Sequence, residues 1–383
     1  MQPEEEVSYR PPDAKKTSRR RFIKLVLGLG GVVAAGAVAS RFIFPSGQQD
    51  TDSITDGGDY LDVLNGSITS GGPPKDGIPS IDSPRFMSRE EADSFLRPED
   101  IVFGIVYQGV VRAYPQRILV WHEIVNDTFG GEEVSVTYCP LTGSQIAFLG
   151  RSTDGSPLTF GTTGSLVNSN LLMYDRPTDS NWPQILGIAI NGSQRGKPLR
   201  EVPLVWTTWE KWRSKHPDTE VLTTETGYIR NYSYDPYGSY VPNVGGYYLT
   251  DGLFFPVLNT SDRFPAKKVF FGLKLGTERL AIPLAEFRSV NVRNVSLAST
   301  PLVLLYDAEL DTIRAFKSQV QGEALTFGLR EGRIVDEETD SAWSPEGVAV
   351  EGAFQGTVLE QVNAFNVMWF AWYAFYPDTA VLL

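Results

Sequence analysis

Self-similarity between its two halves is the feature that most restricts the fold of this 383-residue chain. Four segments of the first half return in the second half, in the same order and at nearly one spacing. The pairs are RAYPQRI and LAIPLAE, LTFG and LTFG, TDSNW and TDSAW, and WEKWRSKHPDTEVL and WFAWYAFYPDTAVL, which begin at residues 112 and 280, 158 and 325, 178 and 339, and 209 and 369. Such repetition predicts one supersecondary pattern used twice. We therefore predict an internal duplication with halves at residues 78–266 and 267–383, of which the second is degenerate.

Each half combines strand and helix patterns. IVFGIVYQGVVRAYP (residues 101–115) and EEVSVTYC (132–139) alternate β-branched and aromatic residues, which predicts antiparallel strands. PQRILVWHEIVNDTF (115–129) has apolar residues at helical spacing, and PLVWTTWEKWRSKHP (203–217) predicts a second helix that ends before Pro217. The expected fold class is α+β and strand-rich, with two helices in the first half and fewer in the second.

The N-terminus has the pattern of an export signal. TSRRRFIK at residues 17–24 matches the twin-arginine motif, and the apolar run LVLGLGGVVAAGAVA follows it. We predict a twin-arginine signal over residues 1–44, either cleaved or retained as a membrane anchor, and a flexible linker rich in Gly, Ser, Asp and Pro over 45–77. The expected location is extracytoplasmic, with membrane contact through the N-terminal segment only.

The charge of the chain disfavours nucleic acid as a partner. After residue 47 the chain contains 26 Lys and Arg against 42 Asp and Glu, whereas nucleic acids are bound mainly through Lys and Arg. The identity of a small-molecule, metal or protein partner stays open. Six N-x-[ST] sequons are compatible with glycosylation.

Cys139 is the only cysteine, so no disulfide forms within the chain. It lies in VTYCPLTGSQ, where the C-P-L-T spacing resembles a dithiol motif whose second cysteine is a hydroxyl. That hydroxyl would stabilise a thiolate. Alignment of the halves puts Asp307 opposite Cys139, which is expected if the first half has chemistry that the second lacks.

Cys139, His122 and Met173 together form a set of soft ligands. Thiolate, imidazole and thioether are the ligands of copper sites, so copper or another transition metal is the candidate cofactor. A blue-copper site needs a second histidine, and His216, the only other one, has Tyr376 as its repeat counterpart. Metal binding or thiol redox chemistry at Cys139 and His122 is the leading functional hypothesis.

Two alternatives stay open, and with them the question of whether the protein is an enzyme. In the first, Cys139 is a nucleophile, His122 is its base, and Asn126 or Asp175 orients the base, with Arg176 nearby. This requires Cys139 and His122 in one pocket. In the second alternative the protein is a non-catalytic surface module that binds partners through its tyrosine-rich segment, residues 226–248.

The motifs of the chain also resemble a known family. GGPPKDGIPSIDSPRF, RAYPQRILVWHEIVNDTFGG, VTYCPLTGS, LVNSNLLMYDR, TDSNWPQ, HPDTEVL and MWFAWYAFYPDT are similar to those of domain-of-unknown-function family 3179, exported proteins of bacteria and archaea. The resemblance covers residues 71–383 and implies no established activity.

Family motif positions in this chain are the site residues that the resemblance implies, without roles. They are His122, Glu123, Asn126, Asp127, Cys139, Asp175 and Arg176. Relatives have C-P-L-C where this chain has Thr142 as the last residue. The substitution excludes a two-cysteine metal site and argues against a dithiol mechanism.

Overall fold

The computed structural model describes residues 57–240 and 245–383. The fold is strand-rich, with 41% strand and 11% helix, which fits the predicted α+β class. The predicted signal at residues 1–44 lies outside the described residues. A short 3₁₀ turn, Tyr247–Leu249, begins at the end of the tyrosine-rich segment.

Up to residue 222, the described part of the chain contains four helices and thirteen strands. In chain order they are α1 (Gly57–Gly66), β1 (Thr69–Ser70), β2 (Phe86–Met87), α2 (Arg89–Ala92), β3 (Ile101–Tyr107), β4 (Val110–Pro115), α3 (Gln116–Leu119), β5 (Ile124–Phe129), β6 (Glu132–Cys139), β7 (Ser144–Leu149), β8 (Phe160–Val167), β9 (Asn170–Asp175), β10 (Asn181–Pro183), β11 (Glu201–Val202), β12 (Val205–Thr208), α4 (Trp209–Lys215) and β13 (Glu220–Leu222).

The second half continues the series after residue 268. Its elements are β14 (Val269–Leu275), β15 (Glu278–Pro283), α5 (Leu284–Phe287), β16 (Val292–Leu297), β17 (Thr300–Asp307), β18 (Thr312–Lys317), β19 (Gln319–Val320), β20 (Glu323–Ala324), β21 (Phe327–Arg330), β22 (Arg333–Asp336), β23 (Ala342–Trp343), β24 (Ala349–Glu351), β25 (Gln361–Val362), β26 (Ala364–Met368), α6 (Trp369–Phe375) and β27 (Ala380–Val381).

The strands form small sheets whose orders correspond between the halves, except that β1, β2 and β24 have no counterpart. The first half has the orders β1-β8-β9-β10, β11-β7-β6-β5 and β12-β3-β4-β13-β2, and the second has β21-β22-β23-β24, β16-β17-β18-β25 and β26-β14-β15-β27. The pair β19-β20 is additional. Pairing between the named strands is antiparallel except that β13 runs parallel to β4 and β27 parallel to β15.

Six consecutive elements have the same lengths in both halves. From β3 to β7 they contain 7, 6, 4, 6, 8 and 6 residues, and from β14 to β18 they again contain 7, 6, 4, 6, 8 and 6. Positions of the two halves can therefore be paired by their place in matching strands.

The tryptophan motif makes the same contacts in both halves. Trp212 Nε1 donates to Thr219 Oγ1 at 2.9 Å, and Trp372 Nε1 donates to Thr379 Oγ1 at 2.9 Å. Each indole ring packs on a strand glycine, Gly104 or Gly272, where a Cβ atom would overlap the ring. The repeated W-x-x-W and P-D-T residues thus join each C-terminal helix of a half to its sheet.

One hydrophobic cluster is shared by the two halves. It contains Cys139, Phe148 and Trp182 together with Phe365 and Trp369. A backbone hydrogen bond from Met368 N to Thr142 O, 2.9 Å long, adds to this contact. The apolar faces of both halves are therefore buried against each other.

The predicted helix over residues 115–129 is wrong beyond its first turn. Helix α3 ends at Leu119, and Ile124–Phe129 is strand β5, paired with β6. Glu123 has a left-handed φ of 59°, which ends the helical path. His122 and Asn126 consequently do not share a helix face. The second helix, α4, ends before Pro217 as predicted. Within the described residues the first half has three helices, α2 to α4, against the two predicted, and the second half has two, which is fewer, as predicted.

Part of the predicted linker is packed onto the body. Helix α1 lies within residues 45–77, and its Leu61 and Leu64 are buried in the shared cluster. Residues 57–77 are therefore attached to the folded body and do not form a flexible linker. None of the helices in residues 57–240 and 245–383 has the length and apolar character that a membrane crossing requires.

Candidate functional site

Glu123 occupies the turn between α3 and β5. Its φ is 59°, and its carbonyl accepts a hydrogen bond from Tyr138 N at 2.8 Å. Asn291, which precedes β16, has a φ of 64°, and its carbonyl accepts from Tyr306 N at 2.8 Å. Asparagine adopts this conformation more readily than glutamate. The second half thus has a residue that suits the turn, whereas the first half has one that does not.

The Glu123 side chain is mostly buried, and none of the side-chain hydrogen bonds within the described residues involves its carboxyl group. The residue is 6% exposed. Burial raises the pKa of the carboxyl group to about 8 from its ordinary 4.5, so the group is neutral at pH 7.

Cys139 ends strand β6 near Glu123. Its Sγ accepts from Leu171 N at 3.3 Å, and the thiol faces Ser169 O at 3.9 Å. Burial, followed by the charge of ionised Glu123, raises the pKa of the thiol to about 11. The nearby Thr142 and Leu171 oppose this rise in pKa. The effect of burial on the pKa is the largest, so the thiol is protonated at neutral pH.

Tyr237 completes a group of three buried or half-buried acids. Its pKa is raised by burial and then by charge on Glu123 and Cys139. Its hydroxyl makes no hydrogen bond within the part of the chain that the structure describes. Tyr247, by contrast, donates to Leu141 O at 2.8 Å. We call Glu123, Cys139 and Tyr237 the acid–thiol cluster.

A hydrogen-bonded network holds the tyrosine-rich segment beside this cluster. The hydroxyls of Tyr138 and Tyr240 are 2.8 Å apart, and Tyr248 donates to Asp235 at 3.0 Å. The rings of Tyr240 and Tyr248 stack with centroids 3.9 Å apart. Gln116 donates to Asp235 at 2.8 Å. These contacts fix the segment on the first half.

His122 is fully buried and has partners at both ring nitrogens. Nδ1 lies 2.7 Å from Pro79 O, and Nε2 lies 2.7 Å from Tyr232 Oη. A carbonyl only accepts, so Nδ1 carries the proton and Nε2 accepts from the tyrosine. Burial lowers the pKa of the ring to about 4. The structure does not bring His122 into hydrogen-bond contact with Cys139.

Asn126 makes contacts that recur in the second half. It donates to Phe160 O at 2.9 Å and accepts from Phe160 N at 3.1 Å. Asn294, at the same place in β16, donates to Phe327 O at 2.7 Å and accepts from Phe327 N at 2.9 Å. These bonds attach each edge strand to the next sheet, which is a structural role.

Asp175 also has a counterpart with the same contacts. It accepts from Thr178 N at 2.7 Å and from Trp182 Nε1 at 2.9 Å. Asp336 accepts from Thr339 N at 2.7 Å and from Trp343 Nε1 at 2.9 Å. The T-D-S-x-W repeat is therefore explained by a loop that each aspartate holds closed.

Asp127 and Arg176 line a separate open cavity. Arg176 pairs with Asp82 at 2.9 Å, and Asp127 pairs with Arg112 at 2.8 Å. We call this cavity the polar pocket; it is lined by Asp82, Ser83, Pro84, Phe86, Arg112, Asn126, Asp127, Thr128, Glu133, Thr159 and Arg176.

Met173 and His216 are part of the packing. Met173 is fully buried in β9 and belongs to the same hydrophobic cluster as Cys139. His216 packs on Trp212 with ring centroids 4.1 Å apart, as Tyr376 packs on Trp372 at 4.7 Å. In residues 57–240 and 245–383 no group of three or more His, Cys, Asp or Glu side chains is arranged to hold a metal ion.

Sequence reasoning missed two participants in these sites. Tyr237 was one of many tyrosines in its segment, with no signal to separate it from the others. Arg112 was recognised only as part of the RAYPQRI repeat, although its counterpart is Leu280. A charged residue opposite an apolar one was the signal that could have identified it.

Comparison with protein families agrees with the motifs. The family model described as "Protein of unknown function (DUF3179)" matches residues 75–379. The chain belongs to this family. No curated protein and no solved structure matches the chain. Membership covers both halves and the polar pocket as well as the acid–thiol cluster.

Proposed function

We propose that this family member is an extracytoplasmic metal-binding protein, in which Cys139 and Glu123 are anionic ligands of a divalent transition-metal ion. The observation that carries the proposal is the mostly buried carboxyl group of Glu123, which makes no hydrogen bond within residues 57–240 and 245–383 and lies near the single thiol. Its unfavourable backbone conformation supports it, because strain of this kind is concentrated at functional sites. His122 is not proposed as a ligand, since both its nitrogens have partners.

A divalent ion would explain why two acids are tolerated in this part of the core. Without an ion, burial keeps Glu123 and Cys139 protonated, with pKa values of about 8 and 11. A nearby double positive charge would lower both pKa values, and the two anions would neutralise it. Thiolate favours ions such as Zn²⁺, Co²⁺ and Cu²⁺ over Mg²⁺ and Ca²⁺. The hydroxyl of Tyr237 is the proposed third ligand.

A thiol-nucleophile enzyme is supported less well. Such an enzyme needs a thiolate, or a base that takes the proton from the thiol. Burial raises the pKa of Cys139, so the thiol is uncharged at neutral pH, and the ring nitrogens of His122 contact Pro79 O and Tyr232 Oη, not the thiol. Asn126 and Asp175, the proposed orienting residues, have repeated structural contacts instead.

We further propose that the chain arose by duplication and that the second half supports the first. Matching strand lengths, sheet orders and the Asn126 and Asp175 contacts support a common origin. The acid–thiol cluster has no copy, because Asn291 and Asp307 stand at the positions of Glu123 and Cys139. Export by the twin-arginine route, which the N-terminal motif favours, would allow the ion to be loaded before export.

Metal content of the full chain, purified from the exported fraction, tests this function. We expect a divalent transition metal at up to one ion per chain. Titration of chelator-treated protein with Co²⁺ should produce a sulfur-to-cobalt charge-transfer band. Both signals should disappear in Cys139→Ser and be strongly reduced in Glu123→Gln, whereas Glu133→Gln, a carboxylate on the same strand as Cys139, should keep them.

The outcomes separate the candidate functions. Absence of bound metal and of a cobalt band would reject the metal site. If the thiol then reacts quickly with a thiol reagent at neutral pH, the nucleophile is favoured. An inert thiol without metal would leave a binding module whose Cys139 only packs.

A further inference from the structure

The polar pocket has the dimensions of a small-molecule site. Its volume is about 440 Å³, within the range of about 300–1,000 Å³ that is typical of ligand pockets. Residues 126–128 of β5 form one side. Residues 82–86, Arg112, Glu133, Thr159 and Arg176 form the rest. None of these residues belongs to the acid–thiol cluster.

Positive charge at the pocket is already balanced. Arg112 pairs with Asp127 at 2.8 Å and with Glu220 at 2.9 Å, and Arg176 pairs with Asp82 at 2.9 Å. An anion would have to compete with these carboxylates for the guanidinium groups. The pairs nevertheless give the pocket N–H donors and carboxylate acceptors side by side.

Polar atoms of the pocket are held in place. The Asp127 carboxylate accepts from Thr128 N at 2.7 Å and from the Tyr114 hydroxyl as well as from Arg112. The Arg112 guanidinium lies 4.0 Å above the ring of Phe86, which contributes apolar surface. A site whose groups are fixed before binding loses less entropy when a ligand binds.

The fold does not require these charges. Matching strands of the second half have Leu280, Val295 and Pro301 where the first half has Arg112, Asp127 and Glu133. Those strands form the same sheets. The polar lining is therefore specific to the first half and is not explained by strand packing.

We infer that the polar pocket binds a neutral, hydroxyl-rich small molecule of about monosaccharide size. Adjacent hydroxyl groups both donate and accept, so they match paired guanidinium and carboxylate groups. Phe86 and Pro84 offer contact to the C–H face of a sugar ring. An anionic ligand would have to displace an Arg–Asp pair, whereas a neutral one leaves the pairs intact.

Binding of glucose, galactose and N-acetylglucosamine to the full chain, measured by calorimetry and ligand-observed NMR, tests the inference. Arg176→Gln should weaken binding by about tenfold or more, the usual effect of losing a hydrogen bond to a charged group. Arg288→Gln is the matched control, because it removes an exposed Arg–Asp pair of the second half, with Asp311 at 2.6 Å. It should bind like the wild type.

Charge dependence decides the ligand class. Sugar affinity should be nearly the same at low and high sodium chloride, because no net charge is neutralised. Citrate and putrescine serve as charged probes. The inference is overturned if none of the three sugars binds, or if only a charged probe binds with an affinity that falls as salt rises.

Two further variants protect the test from trivial failure. If Arg176→Gln unfolds, as judged by its melting temperature, Phe86→Leu replaces it and should also weaken sugar binding. Cys139→Ser should leave sugar binding unchanged while it removes metal. Loss of sugar binding in Cys139→Ser would contradict a pocket that is independent of the acid–thiol cluster.

Discussion

His122 and Glu123 are sequence neighbours, and burial keeps both of them neutral. The pKa of His122 falls to about 4 from 6.5, and that of Glu123 rises to about 8 from 4.5. Between pH 4.5 and 6.5 the unfolded state holds a proton on His122 that the folded state lacks. Over the same range the folded state holds a proton on Glu123 that the unfolded state lacks. Their effects on stability cancel there. Above pH 6.5 only Glu123 continues to act.

The first prediction concerns this pH dependence. For metal-free protein the free energy of unfolding should fall by about 2 kcal/mol between pH 6.5 and 8, because unfolded Glu123 is ionised there and folded Glu123 is not. Glu123→Gln should abolish the fall, and Glu133→Gln should keep it. Denaturant titrations at the two pH values measure it. A rise in stability over this range would contradict a buried neutral Glu123.

The second prediction concerns Cys139. Its buried thiol, with a pKa of about 11, should react with a thiol reagent at pH 8 at least about 100-fold more slowly than a free cysteine. Denaturant should restore the full rate. A native rate close to that of free cysteine would show an accessible thiol and would revive the nucleophile hypothesis.

At the residue scale, the sequence motifs predict which residues form the site, and the structure adds their surroundings. Cys139, His122 and Glu123 were recognised from motifs. Their protonation depends on burial and on contacts such as the one between His122 and Pro79, which are distant in sequence. Tyr237 could not be distinguished before the segment that contains it was folded.

Among the elements, the two closed loops of the T-D-S-x-W repeat allow a third prediction. Asp175→Ala and Asp336→Ala should each destabilise the protein by about 3 kcal/mol, because each leaves a buried tryptophan N–H and a threonine without an acceptor. Thermal and denaturant unfolding measure the change. If Asp175→Ala abolished metal or sugar binding while it remained as stable as the wild type, a catalytic or binding role would replace the structural one.

The contact of tryptophan with glycine gives a fourth prediction. Gly104→Ala and Gly272→Ala should each lower stability by about 1–3 kcal/mol, since the new methyl group overlaps the ring of Trp212 or Trp372. Gly109→Ala has open space for the methyl group but a φ of 76°, so it isolates backbone strain from overlap. Equal stability of Gly104→Ala and the wild type would contradict the close packing.

Helices and strands were predicted correctly where the spacing of apolar residues fitted only one of the two structures. Strands β3, β4 and β6 were predicted from alternation, and α4 was predicted to end before Pro217. The segment of β5 was predicted as helix because Ile124, Val125 and Phe129 fit a helical stripe equally well. Pairing with β6 and the left-handed turn at Glu123 decided the outcome, and neither is encoded in a local period.

For the whole molecule, the shared cluster makes the two halves depend on each other. Residues of both halves, such as Phe148 and Trp369, are buried in it. The fifth prediction is that the full chain unfolds in a single transition, whereas residues 78–266 expressed alone do not form a stable fold. Calorimetry of both proteins tests this. Two separate transitions in the full chain would show that each half is stable by itself.

The left-handed turn that Glu123 and Asn291 share has a consequence for protein design. The second half offers the same turn without the acid or the thiol. New side chains introduced at Asn291 could be compared with Glu123 inside one molecule, under identical solvent, temperature and expression.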